Sequence, residues 1–77
     1  MPNSAATRQR VEELVAYLNQ LRDQKLDFPT IWRDHLKGHA LVIGIPIQVT
    51  LGEEPALEIK LINGRRLQFR NGRFQLT

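Results

Sequence analysis

The sequence predicts an α+β fold, a long N-terminal helix and one short helix packed on a four-stranded antiparallel meander, in the order α-α-β-β-β-β. Two observations carry that prediction. Apolar residues recur at helical spacing through the first third of the chain, and two Asn-Gly pairs punctuate strand-like alternation at its end. Residues 1–77 read as a single domain, near the length at which one apolar core is marginal.

Residues 1–4 read as a frayed terminus, with Asn3 or Ser4 able to cap the helix that follows. From about 4 to 25, Val11, Leu14, Val15, Leu18 and Leu21 fall on one face, and neither Gly nor Pro interrupts the run. Phe28 before Pro29 ends that pattern, because the residue ahead of a proline is driven toward extended geometry. Asp27 then caps a short helix over about 29–37, closed by Gly38, with Trp32 expected to plug one end of the core.

A strand is expected over about 40–51. Leu41, Ile43, Ile45, Ile47, Val49 and Leu51 alternate with Val42, Gly44, Pro46, Gln48 and Thr50. Pro46 lacks an amide donor, which places this strand at an edge or puts a bulge at Gly44-Ile45-Pro46. A five-residue loop, Gly52 to Ala56, pairs Leu51 with Leu57 and Val49 with Ile59, so the odd-numbered apolar row is expected to face the core.

Strands over about 57–62, 66–70 and 73–77 follow, and parity sets their register. A two-residue Asn71-Gly72 turn of type I′ pairs Phe69 with Phe74 and Leu67 with Leu76. The first hairpin needs a three-residue loop, Ile62-Asn63-Gly64 with Gly64 left-handed, to pair Ile59 with Leu67 and Leu57 with Phe69. The opposite face then carries Glu58, Lys60, Arg66, Gln68, Arg70, Arg73, Gln75 and Thr77, with Arg70 directly across from Arg73.

Composition limits function. The chain has no cysteine, which excludes a thiolate metal site or cysteine nucleophile and suits a reducing cytoplasm. No run approaches the roughly 20 apolar residues of a membrane span, and the start does not resemble a signal peptide. His35 and His39 are four apart, but Gly38 stands between them and no third ligand is implied, so neither a metal nor any other cofactor is assigned. Asp34, Glu53 and Glu54 lack the partners of an acid–base pair, and the chain reads as non-enzymatic, with no small-molecule substrate implied. The run Glu58 to Phe69 resembles the hairpin of Sm-like RNA-binding barrels, which also follow an N-terminal helix. The chain departs from that family in its long intervening strand and in having too few strands afterwards, so no binding residue is carried over.

Net charge is +3, and from Lys60 onward there are five basic residues and no acidic one. The expectation is therefore a basic accessory protein that contacts nucleic acid or another polyanion through Lys60, Arg65, Arg66, Arg70 and Arg73. The alternative is a protein-interaction module of adaptor or inhibitor type. There the basic face and the edge strand meet an acidic partner surface; in the first reading too the chain is expected to be a homodimer, with Val42, Gly44, Pro46 and Gln48 of the edge strand at the partner or dimer interface.

Overall fold

The computed structural model describes residues 5–77, with Leu51 by its backbone alone. The expected cap at Asn3 or Ser4 and the frayed terminus lie outside the described residues. Helix α1 covers Ala5–Asp23 and buries Val11, Leu14, Leu18 and Leu21, the stripe read from their spacing. Helix α2 covers Phe28–Ile31. The Asp27 carboxylate accepts from the Thr30 N–H at 3.0 Å and caps it. That bond stabilises the ionised form and holds the Asp27 pKa below its ordinary value.

The chain does not continue to Lys37 as an α-helix. It widens into a π-helical turn, Trp32–Leu36, with the Lys37 N–H donating to the Trp32 carbonyl at 2.7 Å. Residues five apart diverge on an α-helix, whereas the wider turn brings Ile31 and Leu36 inward together, both 0% exposed. Trp32 packs half-buried against the same core.

Strands β1 (Val42–Leu51), β2 (Glu54–Leu61), β3 (Arg66–Arg70) and β4 (Arg73–Leu76) form one antiparallel sheet in the order β1-β2-β3-β4. The architecture is the predicted α+β one. From β2 onward the register is also the predicted one: Leu57 faces Phe69, Ile59 faces Leu67, Phe69 faces Phe74 and Leu67 faces Leu76. Asn71 and Gly72 both have positive φ, 53° and 78°, as a type I′ turn requires. Gly64 is left-handed (φ 83°), and its N–H donates to the Leu61 carbonyl at 3.0 Å.

The β1–β2 hairpin departs from expectation. Its loop is Gly52-Glu53 alone, so Leu51 faces Glu54 and Val49 faces Ala56, not Ile59. Gly52 carries a positive φ (66°) and Glu53 does not, the pattern of a type II′ turn with glycine first. A five-residue loop pairs apolar with apolar; the two-residue loop reverses the parity, and Ile43, Ile47 and Val49 turn to the other face. Ile43 and Ile47 therefore stand opposite Lys60 and Glu58, on the side away from α1. They are 50% and 47% exposed, and Ile45 between them is 73% exposed, so the isoleucine row does not belong to the core.

A bulge separates these residues. Between Ile43–Lys60 and Ile47–Glu58, Gly44, Ile45 and Pro46 oppose Ile59 alone. Gly44 has φ 75°, which a residue with a Cβ adopts only under strain, and Pro46 offers no ladder donor.

The inner face is closed by α1. Ile59, Leu61, Leu67 and Phe74 pack on the α1 stripe together with Ile31, Leu36 and Leu41. Burial of a side chain of that size contributes about 1.5–3 kcal/mol. Phe69 and Phe74 lie 4.8 Å apart between ring centroids, and Phe28 sits 5.0 Å and 6.0 Å from them. Asn19 ties the helix to edge strand β4. Its Nδ2 donates to the Phe74 carbonyl at 3.0 Å and its Oδ1 accepts the Phe74 N–H at 2.8 Å. Arg22 Nε donates to the Gly72 carbonyl at 2.8 Å, with its guanidinium 5.5 Å above the Phe69 ring. No helix among the described residues is long and apolar enough to cross a membrane.

Candidate binding face

The side of the sheet away from α1 can be built row by row from the register. One row runs Ile43, Lys60, Arg66, and the next runs Ile47, Glu58, Gln68, Gln75. Arg70 and Arg73 face each other beyond them. The face thus carries an apolar border on β1 and a cationic border on β3 and β4. Between them, at the floor, Glu58 and Gln68 are 7% and 6% exposed although no helix lies over them. Their neighbours shield them. Ile43, Gly44, Ile45, Ile47, Glu58 and Lys60 line a depression of about 310 Å³.

Lys60, Arg66, Arg70 and Arg73 lie on this face, as the alternation predicts, and Arg65 directly precedes β3. Most of this charge is already matched. Arg66 Nη1 is 3.6 Å from Glu58 Oε1, Arg70 Nε 3.1 Å from Glu54 Oε2, and Arg73 Nη1 2.6 Å from Asp23 Oδ1. Arg65 Nε donates to the Thr77 carbonyl at 3.2 Å. The like-charge pairing of Arg70 with Arg73 is offset because each turns to its own carboxylate. Among the described residues, Lys60 is the one cation of this face with no carboxylate within 4.0 Å. Glu58 is held by two neighbours, since its other oxygen accepts from Gln68 Nε2 at 3.1 Å.

The four residues expected at a partner or dimer interface all lie on edge strand β1, but they do not share one face, and of them Gly44 lines the depression. Val42 and Gln48 face the inner side, opposite Leu61 and Leu57, while Gly44 and Pro46 lie in the bulge. Val42 packs against the core. The surface that β1 offers is Ile43, Ile45 and Ile47, which parity counting assigns to the core when the loop is taken as five residues.

The two histidines have separate partners. His39 Nδ1 accepts the Leu41 N–H at 3.0 Å, and the His35 ring meets Tyr17 edge-on at 5.6 Å between centroids. Among the described residues no group of three or more His, Asp or Glu converges as metal ligands.

Comparison with protein-family models, with curated proteins and with solved structures finds no match. The likeness of Glu58–Phe69 to an Sm-like hairpin therefore brings no function with it, and the reading rests on the face itself.

Proposed function

We propose that this chain is a non-enzymatic protein-interaction module that takes its partner on the outer face of the sheet. The observation that carries this is the row Ile43, Ile45 and Ile47, three large apolar side chains each about half exposed or more on one edge strand. Single exposed apolar residues are ordinary, but a contiguous row beside a depression marks a contact surface. Lys60 and the arginines supply the polar rim such contacts have.

A polyanion is the second reading. It is favoured by the common side on which Lys60, Arg66, Arg70 and Arg73 lie, and opposed by the carboxylates already on the three arginines. Phosphates would have to displace these carboxylates, and the isoleucines would gain nothing from a phosphate backbone.

The test is retention from a native lysate on immobilised wild type and on Ile45→Asp, with and without nuclease. Ile45 is 73% exposed, so the substitution leaves the fold intact. The expected result is a protein retained regardless of nuclease and lost with Ile45→Asp. Retention that nuclease abolishes and Ile45→Asp leaves unchanged would replace this reading with the polyanion one. In that case Arg66→Ala with Arg70→Ala would also release the chain from heparin.

A further inference from the structure

We infer that the occupant of this face is a second copy of the chain, packed face to face about a two-fold axis that crosses β1 at Ile45. This rests on the reading just given and names its partner.

The geometry that points to it is a hidden symmetry in the surface. A two-fold in the plane between two facing sheets, perpendicular to the strands, superposes each row of one copy on the reversed rows of the other. Centred at Ile45, it sets Ile45 against itself and the row Ile43–Lys60–Arg66 over the row Ile47–Glu58–Gln68. Isoleucine then meets isoleucine along the whole border. Lys60, which has no carboxylate within 4.0 Å among the described residues, comes over Glu58 of the other copy. Glu58 holds Arg66 through Oε1 at 3.6 Å and Gln68 through Oε2 at 3.1 Å, and it lines the same depression as Lys60. Arg66 comes over a neutral Gln68, and Arg70 and Arg73 fall outside the overlap, so no like charges are stacked. A surface that answers its own charges when reversed fits a closed two-fold pair.

The bulge explains why the contact is through the face. Gly44, Ile45 and Pro46 interrupt the β1 ladder, and Pro46 offers no N–H, so a second β1 cannot simply extend the sheet at its edge. The same bulge leaves Ile45 the most exposed side chain of the row, at the point where the axis crosses. A patch this narrow puts the interface at the low end of the specific range, below about 1,200 Å² in total. Association is therefore expected to depend on concentration.

Cysteine pairing tests the placement directly, because the chain has no cysteine of its own. Under mild oxidation Ile45→Cys is expected to form a disulfide dimer rapidly, and Ala16→Cys, exposed on α1, only at the rate of random collision. Ile43→Cys mixed with Ile47→Cys is expected to cross-link to each other faster than either does alone. In sedimentation, wild type should pass from monomer to dimer between low-micromolar and millimolar concentration. Lys60→Glu, which sets carboxylate over carboxylate, is expected to weaken that association about tenfold or more. A monomer at every concentration, or Ile45→Cys no faster than Ala16→Cys, overturns the inference. If the chain is monomeric while Ile45→Asp still abolishes nuclease-insensitive retention from lysate, only the second copy is wrong and the binding face stands. If both are absent, the binding face falls as well.

Discussion

Phe74→Ala is expected to lower the unfolding free energy by about 3–5 kcal/mol, the usual cost of removing a buried aromatic ring. Phe74 is 3% exposed and joins the α1 stripe to the Phe28–Phe69 pair, so the vacated space borders both layers. A domain of this length holds about 4–12 kcal/mol at typical per-residue stability. The loss is therefore a large part of the whole. At a urea m-value near 1–1.5 kcal/mol/M, the midpoint falls by roughly 2 M or more. Fluorescence of Trp32, the single tryptophan, reports the transition. A midpoint shift under about 0.5 M would mean that the ring is not where the core is densest.

Asn19→Ala is the second large effect. The Asn19 amide serves as the missing neighbour of edge strand β4, pairing both backbone groups of Phe74 at 3.0 Å and 2.8 Å. Alanine improves helix propensity by a few tenths of a kcal/mol but strands a half-buried donor and acceptor at about 1–3 kcal/mol each. The net expectation is a loss of about 2–4 kcal/mol. It should come with faster hydrogen exchange at the Phe74 amide, a local signature that general destabilisation would not single out. Asn19→Asp keeps the acceptor and loses the donor, and is expected to fall between wild type and Asn19→Ala. Together Phe74 and Asn19 keep the inner face of the sheet closed under α1, which leaves the outer face as the side open to a partner.

The elements that could be read from sequence are those whose signal is local. The α1 stripe needs only the spacing of Val11, Leu14, Leu18 and Leu21, and the two Asn-Gly turns set the β2–β4 register within a few residues of themselves. The arginine face follows from that register alone. The fate of the isoleucines hung on one loop length. Pairing Leu51 with Leu57 looks favourable by hydrophobicity, yet the short Gly52-Glu53 turn wins and the row changes face. A glycine at the first position of a two-residue loop was the signal available for it. The carboxylates on Arg70 and Arg73 come from Glu54 and Asp23, 16 and 50 residues away, and no spacing rule reaches them. Asn19 and Arg22 act across 55 and 50 residues. Their position beside the apolar stripe was the only hint, since Asn19 follows Leu18 and lies one turn beyond Val15.

The proposed binding face stands only if β1 is registered as described, and nuclear Overhauser contacts between β1 and β2 measure that directly. The observed register predicts cross-strand contacts of Val49 with Ala56 and of Ile47 with Glu58, with no contact from the Ile43, Ile45 or Ile47 methyls to Leu14 or Leu18. Contacts of Val49 with Ile59, and of the isoleucine methyls with the α1 leucines, would put the row back in the core and leave no apolar border for a partner to cover.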